Sequence, residues 1–256
     1  MRRLILACLA AANLAFVGGA HAADMPVKAP PAPIVDPWTG FYVGVNGGYS
    51  WASWNSTSIA PIFPPSLTGF TASPYVDGWV GGIQAGYNRR ISNTWLAGLE
   101  GDLQWSAERA TSITGEALTI GDFVITLTSA VGWKLSWFDT FRGRLGALID
   151  PTTLIYVTGG AALGRFGFSQ ISTATIATLG GTPLASASVW QGESTTRWGG
   201  AVGAGVEKKF TPKWSAKAEF LYLGFGTHTF LAGTGLDTSV RLNDYIARAG
   251  INFKFD

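Results

Sequence analysis

The stretch FYVGVNGGYSW, residues 41–51, alternates between two kinds of side chain. Its odd-numbered positions carry mostly large apolar or aromatic residues, whereas its even-numbered positions carry Gly, Asn, Ser and one Tyr. A period of two is that of a β-strand, in which successive side chains point to opposite faces. The stretch therefore predicts a strand with one apolar, aromatic face and one small, polar face.

The same alternation recurs in segments of roughly 14 residues, separated by Gly, Pro, Ser, Thr and Asn, which favour turns. The predicted strands are 40–53, 78–91, 94–107, 135–149, 153–168, 195–210, 213–227 and 241–255. From Trp38 onward no run of 18 apolar residues occurs, so this part of the chain predicts no membrane-spanning helix. The eight segments instead predict an all-β, eight-stranded antiparallel barrel.

The connections between these segments alternate in length. Short turns are predicted near residues 92–93, 150–152 and 211–213, and long loops at 54–77, 108–134, 169–194 and 228–240. Outer-membrane barrels have short periplasmic turns and long external loops, so we expect a transmembrane β-barrel with both termini in the periplasm. The alternative is a soluble barrel, which would bury the apolar face inside.

The tryptophans favour the transmembrane alternative because they cluster at strand ends. Amphipathic rings of this kind prefer the two membrane interfaces. We predict two aromatic girdles, formed by Trp38, Trp51, Trp79, Trp95, Trp105, Trp137, Trp198 and Trp214. Charges on the apolar face also fall near strand ends, where they cost about 0–1 kcal/mol rather than the ~2–4 kcal/mol of the bilayer midplane. These outward charges are Arg89, Asp139, Lys208 and Arg241.

The opposite face of the strands collects charges of both signs in the interior of the barrel. An eight-stranded barrel is just wide enough for side chains to fill it, and buried opposite charges must pair. We predict a lumen charge network formed by Glu100, Asp102, Arg142, Arg144, Arg165, Glu207, Lys217, Glu219 and Arg248. Such a network either closes the lumen as a plug of salt bridges or lines a narrow polar channel.

The first residues predict a secretory signal peptide at 1–22. Arg2 and Arg3 precede an apolar run that is short for a transmembrane anchor, and Ala20-His21-Ala22 is a small-x-small cleavage site. Cleavage after Ala22 leaves 18 − 2 = 16 basic and 16 acidic residues, hence a net charge of zero, and removes the one cysteine. Residues 23–37 predict a Pro-rich periplasmic spacer, and 38–256 the barrel.

The composition excludes several classes of function. A formal charge of +2 gives no basic excess for nucleic acid, and one cysteine allows neither a disulfide framework nor a multi-cysteine zinc site. The chain carries no G-x-S-x-G motif, and His228 is the one histidine left after signal cleavage. We therefore expect no catalytic site, no metal and no cofactor. His228 lies where a strand enters a loop, either as a solvated side chain or as a weak candidate for a haem ligand.

Several short motifs, taken in order, resemble the small alphaproteobacterial outer-membrane β-barrel proteins of the porin-family or surface-antigen type. These motifs are Ala23–Pro26, Trp38–Gly44, Gly47–Tyr49, Arg142–Gly146, Leu154–Ala161, Gly205–Glu207 and Ala218–Tyr222. The resemblance implies an eight-stranded outer-membrane barrel without catalysis; some relatives are described as pores and some as haem-binding surface proteins. Such barrels usually end on an aromatic residue that the assembly machinery reads, whereas here Asp256 follows Phe255.

The sequence thus predicts a structural and surface-interaction protein that presents four extracellular loops above a lumen filled by salt bridges. The alternatives are a low-conductance porin and a surface receptor for haem or another small ligand. The expected partners are outer-membrane lipid and lipopolysaccharide, the barrel-assembly machinery through the C-terminal strand, and an extracellular ligand or host surface.

Overall fold

A computed structural model describes residues 36–59, 70–72, 75–233 and 237–255. The predicted signal peptide, its cleavage site at Ala20 and Ala22, and nearly all of the Pro-rich spacer lie outside these residues. Residues 37–256 belong to one compact unit. In the described part of the chain, no helix has the length and apolar character needed to cross a membrane.

The described residues form eleven β-strands. They are β1 (Gly40–Ser53), β2 (Asn55–Ile59), β3 (Phe70–Ala72), β4 (Tyr75–Arg90), β5 (Trp95–Ser106), β6 (Arg109–Ile120), β7 (Phe123–Asp150), β8 (Thr153–Thr178), β9 (Pro183–Lys209), β10 (Trp214–Phe230) and β11 (Asp237–Lys254).

Eight of these strands close into a ring. The order is β1-β4-β5-β7-β8-β9-β10-β11, and β11 returns to pair with β1. Every pairing is antiparallel, and Val45 on β1, for example, lies between Ile251 on β11 and Ile83 on β4. The predicted all-β, eight-stranded antiparallel barrel is confirmed, and each of the eight predicted segments overlaps one strand of the ring.

The side chains divide between the two faces of the ring as a period of two requires. Large apolar residues such as Phe41, Val45 and Phe141 are exposed on the outer surface. Polar and charged residues such as Asn46, Glu100 and Arg142 are buried inside. A barrel that exposes its apolar face and buries its charges is inside-out relative to a soluble barrel, and this arrangement suits a lipid surrounding.

Two of the predicted long loops are wrong. Residues 108–134 and 169–194 lie mostly in β6, β7, β8 and β9, and the chain reverses at 121–122 and 179–182. These stretches are rich in Ser and Thr, which favour turns, but Thr, Val and Ile are also β-branched and favour strands. Hydroxyl pairs across strands add support, since Thr173 Oγ1 and Ser188 Oγ lie 2.9 Å apart.

The extended strands form a four-stranded sheet that we call the crown sheet. It consists of β6 and of residues 123–134 of β7, 167–178 of β8 and 183–194 of β9, paired in that order. Paired residues line up across all four strands: Arg109 pairs with Lys134, Lys134 with Gly167, and Gly167 with Ser194. With about 3.4 Å per residue, the crown sheet continues the wall of the barrel for about 40 Å.

The opposite end, which we call the turn end, has the short connections 91–94, 151–152 and 210–213 between strands of the ring. Asp150 stabilises one of these turns, because its Oδ1 accepts hydrogen bonds from the Thr152 backbone N–H and hydroxyl, each at 2.7 Å. Hydrogen bonds to the charged carboxylate lower the pKa of Asp150 to about 2. The largest effect comes from the Thr152 hydroxyl, followed by the side chain of Thr153 and the backbone N–H of Thr152.

Candidate functional site: the barrel interior

The interior of the barrel contains three layers of side chains. A small apolar cluster of Trp38, Leu96, Leu154 and Tyr156 lies at the turn end. A layer of paired charges follows it. A larger apolar cluster lies toward the crown sheet and includes Trp54, Phe138 and Phe166.

Arg142 on β7 is at the centre of the charged layer, and its side chain is 0% exposed. Its Nη2 lies 2.7 Å from Glu100 Oε1 and 2.8 Å from Asp102 Oδ2, both on β5. Its Nη1 lies 3.1 Å from Glu219 Oε1 on β10, and its Nε donates to Thr140 Oγ1. One guanidinium thus links strands from different sides of the ring, as its fan of fixed donors permits.

Two further cations complete this part of the network. Arg248 on β11 places Nη2 2.8 Å from Asp102 Oδ2 and 2.7 Å from Glu219 Oε2. Lys217 on β10 donates from Nζ to both oxygens of Glu100, at 2.8 and 2.9 Å. The carboxylates of Glu100, Asp102 and Glu219 are therefore each shared between two or more cations.

A second branch of the network lies nearer the turn end. Arg144 Nη2 lies 2.7 Å from Glu207 Oε2, and its guanidinium carbon lies 4.1 Å from the centre of the Tyr156 ring. Arg144 Nη1 also donates to Tyr42 Oη at 3.2 Å, and the Tyr42 hydroxyl donates to Glu100 Oε2 at 2.7 Å. The tyrosine connects the two branches.

The structure brings eight of the nine predicted network residues together. They comprise four carboxylates and four cations, all buried, so the assembly is electrically neutral: Glu100, Asp102, Glu207, Glu219, Arg142, Arg144, Lys217 and Arg248. Neutrality matters because an uncompensated charge in a dry interior costs several kcal/mol (about 3–5 when one partner of a pair is removed). Glycines make room for these long side chains: a Cβ at Gly86 would collide with the Tyr42 hydroxyl.

Arg165 is the ninth predicted member, and its assignment is wrong. The inward positions of β8 are even-numbered, as the buried Tyr156, Thr158 and Phe166 show. Arg165 therefore points outward and is exposed, beside Trp137 on the neighbouring strand. Close to a membrane interface, a guanidinium can reach water by extending its aliphatic stem.

The apolar cluster toward the crown sheet was not predicted, because the alternation in the sequence indicates small, polar and charged residues throughout the interior. Phe166 packs edge-on against Trp54 and Phe225, with ring centroids 5.6 and 4.9 Å apart. Phe168 stacks on Phe230 at 5.3 Å. A signal was present, because both faces of 162–168 and 221–225 carry apolar residues. A register shift between Leu135 and Trp137 also breaks the simple alternation on β7.

Trp38 does not belong to an outer girdle, so this prediction is wrong. Its side chain is 2% exposed and covers the interior at the turn end. Its Nε1 donates to the Pro151 carbonyl at 3.0 Å, and Lys209 Nζ lies 4.8 Å from the centre of its ring. The reason is local: Gly40 takes a φ of +136°, a region that favours glycine, so the chain bends where β1 begins.

The other seven predicted girdle residues lie on the outer face. Six are exposed and Trp137 is half-buried against its neighbours: Trp51, Trp79, Trp95, Trp105, Trp137, Trp198 and Trp214. Trp95 and Trp105 lie on the same strand, ten residues apart. At about 3.3 Å per residue and a tilt of about 40°, they are separated by about 25 Å along the barrel axis, the usual height of an apolar band.

His228 lies on β10 opposite Val240 and faces the interior. Its ring packs edge-on against Phe230 at 4.7 Å, and its Nε2 lies 3.8 Å from Glu193 Oε1. These contacts place the imidazole between an aromatic ring and a carboxylate, and His228 as a haem ligand stays a prediction of the sequence alone. Among the described residues, no group of three or more His, Cys, Asp or Glu is arranged to hold a metal ion.

The inside-out barrel, its apolar outer band and its tryptophans at both edges define a class, the transmembrane β-barrels of the bacterial outer membrane. Residues 6–255 match the family described as outer membrane protein beta-barrel domain. The chain belongs to this family, and the predicted resemblance is confirmed.

The chain is similar to outer-membrane immunogenic proteins of Brucella. The chain is 30% identical over 262 residues to the 31 kDa outer-membrane immunogenic protein of Brucella melitensis, with 100% of both chains covered. It is 26% identical to the 25 kDa outer-membrane immunogenic protein of the same organism, covering 98% of this chain and 97% of that one. Ail, the attachment invasion locus protein of Yersinia pestis, is 16% identical with a TM-score of 0.34, covering 84% of this chain and 99% of that chain.

Proposed function

We propose that this outer-membrane barrel is a structural and surface-interaction protein whose lumen is closed. The observation that carries the proposal is the charged layer, in which four carboxylates and four cations are buried and paired across the full width of the barrel. Apolar clusters lie on both sides of this layer. An ion that entered would have to displace salt bridges and cross apolar side chains at both ends, so the porin alternative has no observation in its favour.

Under this proposal the turn end and both termini face the periplasm, and the crown sheet faces the cell exterior. Short periplasmic turns and long external extensions are the common arrangement in this class. The connections toward the crown sheet, within 54–74 and at 121–122, 179–182 and 231–236, would then be the four extracellular loops. Binding surfaces usually arise on such external segments, because a rigid scaffold positions them. No catalysis is assigned.

The test is the conductance of the folded mature chain in a planar lipid bilayer. Heat-modifiable migration on a gel first establishes that the inserted protein is a folded barrel. We expect a silent bilayer, because the paired charges and the apolar clusters on both sides of them leave no continuous polar path through the lumen. Discrete steps from the unmodified, folded protein would overturn the closed-lumen proposal in favour of a porin.

A further inference from the structure

The crown sheet has two edges that lack a strand partner in the described part of the chain. On one side, β6 pairs with β7, and its pairing with β4 is limited to Arg109 opposite Asp77. On the other side, β9 pairs with β10 only from Gly200 to Lys209. Glu193, the residue that directly follows this unpaired stretch of β9, is contacted by another segment, because its Oε2 accepts a hydrogen bond from the Leu231 backbone N–H at 2.8 Å. The open edges are therefore 110–120 on β6 and 183–192 on β9.

Both edges carry few of the features with which proteins usually protect an exposed strand, namely charges, prolines and bulges. The edge of β9 has no charged residue. Its proline, Pro183, and its one register shift, at Leu184, are confined to its first two residues. The edge of β6 has one charged residue, Glu116. Large apolar side chains are exposed on both edges, with Ile113 at 70% and Trp190 at 67%. Rows of free backbone N–H and C=O groups in such a setting favour pairing with another strand.

The two edges match each other in register and length. Within the sheet, Ala110 aligns with Glu193 and Thr114 aligns with Val189 through the intervening strands. They also run in opposite directions, because three successive antiparallel pairings separate β6 from β9.

We propose that the crown sheet pairs with a second copy of this chain, the β9 edge of one molecule against the β6 edge of the next. All copies in one membrane share the same orientation, so a β9 edge meets a neighbouring β6 edge in the antiparallel sense, the more stable pairing. Contact between two identical edges would instead be parallel. The interface is therefore head-to-tail and continues the sheet from molecule to molecule, as a ring or an open row.

This proposal rests on the proposed function, since it names the partner of the external surface. The test uses the complete mature chain, which is free of cysteine after signal cleavage, folded and reconstituted in lipid vesicles. One variant carries Thr114→Cys on β6. A second variant, with a tag of different length, carries Val189→Cys on β9. Two further single-cysteine variants, Ala187→Cys and Gln191→Cys, each replace it in turn and cover a register offset of two residues in either direction. A short bismaleimide then joins thiols that lie close together.

We expect a mixed cross-linked dimer when the two variants are combined, at about ten times the yield of either variant alone, and little loss on dilution with lipid. Adding Ile113→Lys to the β6 variant should lower this yield about tenfold, because a lysine protects an edge strand. Ile171→Lys is the matched control, since Ile171 lies in the same sheet on the central strand β8 and should leave the yield unchanged.

Equal yields from like and unlike variants, or a yield that falls in proportion to dilution, would overturn the head-to-tail pairing. A silent bilayer together with no specific cross-link would remove the self-association and leave the closed, surface-presenting barrel in place. Conductance from the folded protein would remove the closed lumen whatever the cross-linking result.

Discussion

Arg142 and Arg165 carry the same side chain but lie in opposite surroundings. Arg142 is on an even position of β7 and is fully buried among three carboxylates. Arg165 is on an odd position of β8 and is exposed on the outer face. On each of these strands the even-numbered side chains point inward here and the odd-numbered ones outward, so a shift of one residue turns a side chain to the other face of the sheet.

We predict that Arg142→Met lowers the free energy of unfolding by about 3–5 kcal/mol, because it leaves Glu100, Asp102 and Glu219 with too little positive charge in a dry interior. Arg165→Met is the matched control and should change it by less than about 1 kcal/mol. Urea titration of the detergent-folded barrels, followed by gel migration of unheated samples, measures both. Equal losses for the two variants would contradict the central role of Arg142.

At the scale of the element, the strands of the ring could be predicted and the crown sheet could not. The ring segments alternate large apolar with small or charged residues, and this contrast is visible in the sequence. In the crown sheet, apart from the buried Trp133, Phe168 and Gln170, side chains on both faces are at least partly exposed, so alternation is weak. Thr173–Thr178, for example, contains Thr, Ala and Ile without a clear polar face. Its strands are instead stabilised by cross-strand pairing, which joins residues far apart in the sequence.

The crown sheet should be protected from hydrogen exchange. We predict that backbone amides in 124–133 and 168–177, which lie in its two central strands, exchange about 100-fold or more slowly than amides of the short turn at 210–213. Deuterium uptake by mass spectrometry of the folded barrel measures this. The edge strand β6 should exchange faster than β7, because half of its amides face no described neighbour. Turn-like rates throughout 108–134 would mean that this segment is a loop after all.

At the scale of the whole molecule, closure into a barrel followed from the count of eight strands and the alternation of short and long connections. The layers inside did not follow. Phe166 and Phe225 reach one cluster from strands that are not adjacent in the ring, and Trp38 covers the interior because the chain bends at Gly40. The first fact requires the three-dimensional position of a distant segment. The second depends on the backbone conformation at Gly40, which the alternation of side chains does not indicate.

The position of the barrel in the bilayer gives a further prediction. Trp214 is exposed on the outer face near the turn end, whereas Trp38 is buried inside at the same end. In vesicles of brominated lipid, Trp214→Phe should remove a quenchable part of the fluorescence, and Trp38→Phe should remove a part that lipid does not quench. Comparison with unbrominated vesicles isolates the two contributions. Equal quenching of both would place Trp38 in a girdle, contrary to its packing against Leu96 and Leu154.

Arg248 has a consequence for the order in which the molecule is assembled. It belongs to the last strand, yet it pairs with Asp102, which lies 146 residues earlier in the chain. Until β11 arrives, the network contains four carboxylates but three cations: Arg142, Arg144 and Lys217. Closing the seam between β11 and β1 and neutralising the interior are therefore one event. A chain that stops short of its final strand retains an unbalanced negative charge, so the completed barrel differs electrostatically from every nascent form of itself.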